Sequence, residues 1–452
     1  MAFHRQNHQF FWKKHPLIDK AQKMLNIVEI GVEVRKKYGT IDLYVFQGKF
    51  QEADDFVPYK NNCDEGAKNY MSNNSITPSS FFNPETQVAD LGLIACPGAE
   101  EFTNLIDRHL VSWAEEAGCK RETFIIPCDC PRFQSGDAKG LVKESARGDD
   151  IFFVVDPGNY SLTYNLFGHE NHMSPDDHFA NLKRLIQAVA GRAHRMSVIM
   201  PSLYGGRQHR RIARESLDCA VALQELQNMG IKNIITFDAH DPRLMNAVPL
   251  MSFDNVMPTY QVLKTLLRHM PELNFDKEHF IVISPDEGAM SRNMYFSSVL
   301  GCNLGMFYKR RDYSRVVDGR NPIVAHEYLG ESVEGKTVFI ADDIIASGES
   351  MLEVARELRS RGAKYIIADA TFPLFTSGLA KFDAAVKEGV LTAVLGTNLT
   401  YRKPELLERE WYFDVDCSKY TAYFVAAINH DMSVSAICDP LKKIEALLGG
   451  RR

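Results

Sequence analysis

Short runs of apolar residues alternate with longer helical patterns from residue 89 onward. Continuous apolar, β-branched runs of this length are typical of strands that are buried on both faces of a mainly parallel sheet. The predicted strands are 91–96, 123–127, 151–156, 197–201, 233–240, 280–286, 304–309, 337–343, 365–372 and 391–398, and the clearest helices between them are 100–118, 214–230 and 350–362. Strands that alternate with helices predict an α/β fold with mostly parallel sheets.

Three further segments have patterns of their own. Ser350 and Glu353 form an S-x-x-E pattern, which predicts a capping box at the start of a helix. The polar segment 159–177 is interpreted as an insertion on the surface. Residues 1–87 combine a helix-like pattern at 17–37 with a long polar run, and we interpret them as an N-terminal extension of unknown role.

Composition and charge exclude several classes of protein. Hydrophobic residues make up 45% of the chain, which is ordinary for a globular protein. The 52 basic and 58 acidic residues give a net charge of −6, so a general nucleic-acid coat is not expected. No apolar stretch approaches the roughly 20 residues that span a bilayer, and the N-terminus lacks the apolar core of a signal peptide. The nine scattered cysteines favour a reducing, cytoplasmic setting.

The strongest chemical pattern is V-F-I-A-D-D-I-I-A-S-G-E-S at 338–350. A buried strand ends in Asp342 and Asp343, and a tight Ser/Gly loop leads into a helix. Backbone N–H groups at a helix N-terminus favour a phosphate, and paired carboxylates accept hydrogen bonds from vicinal hydroxyls. The pattern therefore predicts a site for a phosphorylated sugar; the alternative is a strand end followed by a capped helix without a ligand.

Several other segments suggest chemistry. Phe133 lies in a polar turn four residues before Asp137, and it either stacks on a base or packs against its own loop. Four arginines at 207–214 follow a strand, and guanidinium groups match phosphate oxygens, although a solvated basic turn is the commoner fate of such a run. Asp238 and His240 alternate along one predicted strand and are expected to share a face.

Another acid and a basic cluster complete the pattern. Asp286 ends a later strand, and its carboxylate oxygens suit Mg²⁺. Lys309, Arg310 and Arg311 end a strand and open a long polar segment, which we interpret as a mobile lid that brings positive charge to the reacting phosphates.

These motifs follow one another in the order of a known family. They are F-Q-S-G-D at 133–137, S-A-R-G-D-D-I-F at 145–152, G-R-Q-H-R-R at 206–211, F-D-A-H at 237–240, F-D-N at 253–255, I-S-P-D-E-G at 283–288, Y-K-R-R at 308–311 and the loop at 338–350. From about residue 89 to 452 the chain resembles ribose-phosphate diphosphokinase, and the last loop resembles the phosphoribosyl-diphosphate-binding loop of type I phosphoribosyltransferases. The first 87 residues have no recognised counterpart.

The resemblance implies two tandem phosphoribosyltransferase-like α/β domains with mostly parallel central sheets. The first is expected to cover 88–256 with 417–452 and to bind ATP, and the second to cover 257–416 and to bind ribose 5-phosphate. The implied reaction is Mg²⁺-dependent transfer of the diphosphoryl group of ATP to the anomeric hydroxyl of ribose 5-phosphate, which gives phosphoribosyl diphosphate and AMP. The implied assembly is a homo-oligomer, a hexamer or a related form, with no nucleic-acid or membrane partner.

The resemblance also assigns roles residue by residue. The implied catalytic residues are Lys309 and Arg311; the ATP-binding residues are Phe133, Asp137, Arg207 and Gln208; the metal-binding residues are His240 and Asp286, with Asp238 as a third; and the ribose 5-phosphate-binding residues are Asp342, Asp343, Ala346, Ser347, Gly348, Glu349 and Ser350.

The sequence departs from the family pattern inside the phosphate loop. Ala346 replaces an acid, and Glu349 stands where glycine is usual. We expect the Glu349 side chain to turn outward, away from the phosphate. Two alternatives to the synthetase remain: a catalytically weak regulatory paralogue, and a phosphoribosyltransferase that consumes phosphoribosyl diphosphate.

Overall fold

The computed structural model describes residues 30–37, 40–47, 86–311, 323–449 and 451. The chain forms two compact units, residues 1–76 and 77–452. In the first unit, strands β1 (Ile30–Lys37) and β2 (Thr40–Gln47) pair antiparallel. The predicted helix at 17–37 is therefore wrong over Ile30–Lys37, where Val32, Glu33, Val34 and Arg35 alternate with the period of a strand; residues 17–29 lie outside the described residues.

The second unit contains the remaining elements. Its strands are β3 (Leu91–Ala95), β4 (Cys128–Asp129), β5 (Leu141–Val142), β6 (Asp150–Val154), β7 (Thr163–Leu166), β8 (His169–His172), β9 (Arg195–Ile199), β10 (Asn233–Phe237), β11 (Ser252–Val256), β12 (Phe280–Ser284), β13 (Asn303–Arg311), β14 (Ile323–Leu329), β15 (Thr337–Ile345), β16 (Tyr365–Pro373), β17 (Ala393–Thr397) and β18 (Tyr412–Val415). Its α-helices are α1 (Glu100–Glu116), α2 (Pro175–Val189), α3 (Asp218–Asn228), α4 (Thr259–His269), α5 (Met290–Leu300), α6 (Glu349–Ser360), α7 (Ala380–Lys387), α8 (Pro404–Leu407), α9 (Ser418–Asn429), α10 (Ser435–Cys438) and α11 (Leu441–Leu448), and a 3₁₀ turn spans Pro242–Ala247.

Two separate sheets form the framework of this unit. The first has the strand order β11-β10-β9-β6-β3, and all its neighbouring strands run parallel. The second has the order β14-β13-β12-β15-β16-β17-β18 and is parallel except for the β13–β14 hairpin. The prediction of an α/β fold with mostly parallel sheets is confirmed. Because the central strands are buried on both faces, they read as continuous apolar runs.

Each sheet has its own apolar core. In the first, Phe153 and Val198 on the strands pack with Leu182 and Leu223 of the helices. In the second, Ile340 of β15 belongs to a cluster with helix and loop residues that include Leu358, Phe382 and Trp411. Leu352, Ala355 and Leu358 form the buried face of α6.

Several predicted boundaries are wrong for identifiable reasons. The run at 123–127 makes only a single bridge, between Ile125 and Leu93, because two backbone hydrogen bonds attach it to β3 and none extend the pairing. Helix α3 begins at Asp218 rather than at 214. The polar segment after Arg311 includes β14, which pairs with β13 as a hairpin; residues 312–322 lie outside the described residues. The insertion at 159–177 carries the β7–β8 hairpin, which is largely exposed, as predicted.

The C-terminal helices contact both halves of the unit. Helix α9 packs on α1, where the rings of Trp113 and Tyr423 lie 4.7 Å apart and His109 contacts Ser418 at 3.2 Å. Helix α11 packs instead on α4 and α5. No helix among the described residues is both long and apolar enough for a membrane span.

Candidate active site

The paired acids lie at the carboxyl end of β15, next to a loop that follows the first sheet. Asp343 is buried and Asp342 is partly buried. His240 follows β10 and donates from Nδ1 to Asp343 Oδ2 at 2.7 Å. One hydrogen bond thus joins a residue of the first sheet's loops to the acid pair of the second sheet, as expected where the carboxyl ends of parallel strands meet a ligand.

Asp238 takes a different position from the one predicted. Its φ of 42° is left-handed, so the strand ends at Phe237 and the expected shared face with His240 is wrong. The Asp238 carboxylate is buried, accepts two hydrogen bonds from Arg292 at 2.7 and 2.8 Å, and accepts a third from Thr371 at 2.7 Å. Its oxygens are therefore engaged by protein donors, and the metal role of Asp238 stays a prediction.

Burial and charge shift the two acids in opposite directions. Burial and the neighbouring Asp343 carboxylate raise the pKa of Asp342. Burial also acts to raise the pKa of Asp343, but the hydrogen bond from His240 and the charge of Arg292 outweigh it, so the pKa of Asp343 lies below its usual range. The Asp343 hydrogen bond in turn raises the pKa of His240. The pair thus combines one carboxylate that stays ionised with one that gains a proton readily, which suits hydrogen bonding to hydroxyl groups.

The loop after the acids leads into the N-terminus of α6. Gly348 is the N-cap residue, with φ at 78°, and an added Cβ would meet the Phe382 ring at 2.3 Å. Only glycine combines that backbone conformation with that close approach. No side chain caps this helix, so the predicted capping box of Ser350 and Glu353 is wrong: the left-handed Gly348 starts the helix earlier and places Ser350 inside it. The Glu349 N–H donates to Ser347 Oγ at 3.5 Å, whereas the N–H groups of Ser350 and Met351 have no side-chain partner among the described residues and are open to an anion.

Glu349 points to solvent, as expected. Its side chain is exposed and accepts a hydrogen bond from Lys381. The Lys381 ammonium group lowers the pKa of Glu349. The lysine therefore offsets part of the negative charge that Glu349 brings to the phosphate loop. Ala346 is partly buried, and its carbonyl accepts from the Thr376 backbone at 2.9 Å.

The arginine-rich loop reaches the same site from the first sheet. Arg207 is exposed, and its charge acts on His240. The ring of His209 lies 5.2 Å from the ring of His240, between centroids. Gln208 donates to the Ser216 carbonyl at 2.9 Å, which holds the loop in a closed turn. The structure therefore brings the predicted Arg207–Gln208 segment beside His240 and the acid pair.

The Phe133–Asp137 turn lies elsewhere. It closes through a backbone hydrogen bond from Phe133 N to the Asp137 carbonyl at 2.7 Å, and the Phe133 ring is 55% exposed. The turn abuts the β7–β8 hairpin: an added Cβ at Gly136 would meet Leu166 at 2.6 Å, and the Arg132 guanidinium covers the Tyr164 ring at 3.9 Å. The Lys139 ammonium group of the same turn lies 6.0 Å from the centroid of the Phe133 ring, and stacking of this ring on a base stays a prediction.

The remaining predicted residues are placed as follows. Asp286 Oδ1 accepts from the backbone N–H groups of Gly288 and Ala289, at 2.9 and 3.2 Å. Lys309 and Arg311 belong to β13, with a register shift between positions 310 and 311. Their side chains lie outside the described residues. Across the described part of the chain, no group of three or more His, Cys, Asp or Glu side chains is arranged to hold a metal ion.

Sequence reasoning missed four residues that surround the acids. Arg292 and Asn293 lie in the first turn of α5, while Asp369 and Thr371 lie on β16 beside β15. Asp369 is buried, and burial together with the nearby Asp238 carboxylate raises its pKa well above the usual range. For Asp369 and Thr371 the sequence did contain a signal, because these two polar residues interrupt the otherwise apolar run of β16.

A separate cleft of about 200 Å³ lies between the ends of the two sheets. It is lined by residues that include Gly98, Asp156, Asn159, Thr400, Tyr401 and Arg402. Asp156 is buried there and accepts from Thr400 Oγ1 at 3.1 Å and from Tyr401 N at 2.8 Å. None of the predicted site residues lines this cleft.

Comparisons with known proteins bear on the whole of this arrangement. Two family profiles match the chain: the N-terminal domain of ribose phosphate pyrophosphokinase over residues 91–230, and the phosphoribosyl transferase domain over residues 254–374. Relatives named ribose-phosphate pyrophosphokinase include those of Vibrio cholerae and Burkholderia pseudomallei. The first is 27% identical over 313 residues, which cover 68% of this chain and 89% of the relative. The second is 29% identical over 259 residues, which cover 56% and 72%.

A solved structure shows the same fold. The phosphoribosylpyrophosphate synthetase of Mycobacterium smegmatis superposes with a TM-score of 0.60 at 20% identity. The match covers 76% of this chain and 99% of that chain. Its extent indicates that both sheets, and not only the phosphate loop, follow one shared architecture.

Proposed function

Because the chain belongs to the ribose-phosphate diphosphokinase family of enzymes, we propose that it transfers the diphosphoryl group of ATP to ribose 5-phosphate. The anomeric hydroxyl oxygen attacks the β-phosphorus of ATP, the bond from that phosphorus to the α,β-bridging oxygen breaks, and AMP leaves with the oxygen. The hydroxyl proton is released, and the other product is phosphoribosyl diphosphate. The observation that carries this proposal is the 2.7 Å contact between His240 and Asp343, which joins the nucleotide-side loops to a sugar-phosphate site.

The second sheet supplies the ribose 5-phosphate site. Asp342 and Asp343 accept hydrogen bonds from the ribose hydroxyls, and the open N–H groups of Ser350 and Met351 hold the 5-phosphate. Ala346, Ser347, Glu349 and Ser350 complete the loop. Burial of Asp343 and its hydrogen bond from His240 fix that carboxylate before the sugar arrives, so little ordering is needed on binding.

The first sheet supplies the ATP side. Arg207 and Gln208 lie beside His240 and are suited to the phosphates of ATP, because a guanidinium group pairs with phosphate oxygens at two points. Phe133 offers an exposed ring for the adenine, and Asp137 follows in the same turn. Among the described residues the turn makes no hydrogen bond or ion pair with the acid pair, and we propose that it serves this site after a movement or within a homo-oligomer, which is the assembly proposed for this chain.

We propose that Mg²⁺ binds mainly through the phosphates of ATP, with few ligands from the protein. The described residues offer no cluster of three protein ligands, but Mg²⁺ usually keeps several waters and binds through substrate phosphates with one or two protein groups. His240 and Asp286 would be those groups, with Asp238 as a supporting residue. When bound, the ion neutralises charge on the phosphates of ATP.

Catalysis by this chain then rests on positioning and charge. Lys309 and Arg311 end β13 and lead into residues 312–322. We assign them to the transferring oxygens, where positive charge stabilises the transition state more than the ground state. No side-chain nucleophile is required, because the sugar hydroxyl is itself the nucleophile.

The test is an assay of AMP formation from ATP. The proposal expects AMP only when both ribose 5-phosphate and Mg²⁺ are present. AMP formation at background level with all three components would favour the regulatory paralogue. Consumption of phosphoribosyl diphosphate with a free base, without AMP formation, would favour the phosphoribosyltransferase. A sedimentation measurement on the same protein tests the homo-oligomer, and a monomer would contradict it.

A further inference from the structure

Strand β15, which carries the acid pair, extends beyond the end of its pairing with the neighbouring strand β12. The register between β12 and β15 ends at Ile283 and Ile340, whereas β15 continues to Ile345. At the next residue, Ala341, a side chain takes the place of the neighbouring strand. Asn293 Nδ2 donates to the Ala341 carbonyl at 2.8 Å, and Asn293 Oδ1 accepts from the Ala341 N–H at 3.1 Å. One carboxamide thus satisfies both backbone groups of the residue that precedes Asp342 and Asp343.

The Asn293 carboxamide is itself held in place. The side chain is fully buried, and Nδ2 also donates to the Ala289 carbonyl at 2.8 Å, within the first turn of its own helix. A longer hydrogen bond runs from Nδ2 to Ser284 Oγ at 3.5 Å. A buried amide with these partners has one orientation, because a flip would oppose donor to donor and leave a buried carbonyl unpaired. Helix α5 therefore clamps β15 at the point where the ladder to β12 has ended.

The preceding residue on α5 holds the acids from another direction. Arg292 forms a two-point pair with Asp238, and its NH1 group lies 3.6 Å from Asp342 Oδ1. The side chain is only 10% exposed. Since Asp238 follows β10 and precedes the loop of His240, Arg292 ties Asp342 to the nucleotide-side segment.

We propose that Arg292 and Asn293 are positioning residues for the sugar site: Asn293 fixes the backbone from which the two acids project, and Arg292 fixes Asp342 relative to the His240 loop. This proposal rests on the proposed function, since it assumes that the acids bind ribose 5-phosphate. Adjacent carboxylates repel each other, and binding sites hold their groups to within about 0.5 Å. Asn293 fixes the strand that carries the acids, and the positive charge of Arg292 offsets the repulsion between them.

The test separates binding of the two substrates. Asn293→Ala should raise the KM for ribose 5-phosphate about tenfold, since two hydrogen bonds that order the acids are lost. The KM for ATP should change less than about twofold. Arg292→Lys keeps the charge but cannot pair at two points, and it should raise the same KM by roughly threefold.

Asn398→Ala is the matched control. Asn398 is also a buried asparagine of the second sheet's loops; it donates to Asp416 and accepts from the Cys417 N–H, neither of which belongs to the candidate site. It should lower the Tm about as much as Asn293→Ala and leave the KM for ribose 5-phosphate unchanged. An equal rise in that KM for Asn398→Ala, or no rise for Asn293→Ala, overturns the proposal. If Asn293→Ala does not fold, Arg292→Lys decides the matter, and an unchanged ribose 5-phosphate KM in that variant overturns it.

Failure of the proposed function has a different signature. In that case the wild-type protein forms no AMP that depends on ribose 5-phosphate, and calorimetry detects no binding of ribose 5-phosphate. If the wild type is active and the Asn293 and Arg292 variants have an unchanged KM for ribose 5-phosphate, only the positioning proposal is contradicted.

Discussion

The two sides of the candidate site are built in different ways. The sugar-phosphate side is one continuous segment, β15, its loop and α6, with a buried carboxylate at its centre. The nucleotide side is assembled from separated segments: the exposed Phe133 turn, the Arg207 loop and His240. A continuous, buried segment is ordered before its ligand arrives, whereas exposed loops are ordered mainly by the ligand. The sugar-phosphate side is therefore the fixed half of the site and the nucleotide side the adaptable half.

The largest effect should come from outside both halves, at the end of β13, where Lys309 is assigned to the chemical step. Lys309→Ala should reduce kcat by about 10²–10³-fold, the cost of removing one preorganised charge from a transition state. ATP affinity should change much less, because the lysine acts on charge that develops only during transfer. Steady-state kinetics with ATP varied at saturating ribose 5-phosphate checks this. An unchanged kcat removes Lys309 from the mechanism.

Loss of charge in the fixed half should affect binding of one substrate. Asp342→Asn and Asp343→Asn keep the shape of the acids, and each should weaken ribose 5-phosphate binding by about 10- to 100-fold, as charged hydrogen bonds are lost. ATP binding should survive. Calorimetric titration with each substrate separately measures both values, and a matching loss of ATP affinity would contradict the division into two halves.

The contact between the halves should give a pH-dependent stability. Because the pKa of His240 is raised in the folded protein, its protonated form stabilises the fold fully below about pH 6.5, and this stabilisation is lost as the pH rises through the pKa of the folded state. Because the pKa of Asp343 is lowered, its ionised form stabilises the fold above about pH 4. His240→Gln should therefore lower the Tm most near pH 5–6 and least above pH 8.

The size of this effect is limited by exposure. The His240 side chain is 41% exposed, so solvent screening holds the contribution below about 1 kcal/mol, or roughly 1–2 °C in Tm for a unit of this size. Thermal denaturation in buffers without Mg²⁺ or phosphate measures it. A destabilisation that is the same at pH 5.5 and pH 8.5 would show that the pair carries no ionic stabilisation.

The smallest effect is expected at Glu349, the least family-like residue of the fixed half. Its side chain faces solvent and pairs with Lys381. Glu349→Gly should therefore change the KM for ribose 5-phosphate by less than about threefold, or roughly 0.7 kcal/mol. A tenfold gain in affinity would show that the charge opposes the phosphate, and the regulatory paralogue would then become the better interpretation.

The same contrast explains what the sequence could predict. The phosphate loop was recognisable because strand, acids, glycine and helix are adjacent along the chain, so local spacing reports their arrangement. Arg292 and Thr371 were not, because their partner Asp238 lies 54 and 133 positions away and nothing local marks the pairing. The prediction that Asp238 and His240 share a face assumed that the strand continues through both residues, but the left-handed conformation of Asp238 interrupts it.

Edge strands and helix ends were the weakest part of the fold prediction. The central parallel strands were found because they are apolar on both faces, but β11, β14 and β18 carry polar residues at sheet edges and did not stand out. The predicted capping box failed because the motif reports side-chain capping by Ser350, whereas α6 begins at a left-handed glycine and leaves the N–H groups of Ser350 and Met351 open. That opening is what a phosphate site needs.

The central claim is that a diphosphoryl group passes from the nucleotide side to the sugar side. The most direct measurement follows ATP labelled at the β-phosphorus, incubated with ribose 5-phosphate and Mg²⁺. The account predicts that the label leaves with the sugar, as phosphoribosyl diphosphate, and that the AMP formed is unlabelled. Label that remains in the nucleotide as ADP, or that appears as free diphosphate without a labelled sugar product, would contradict it.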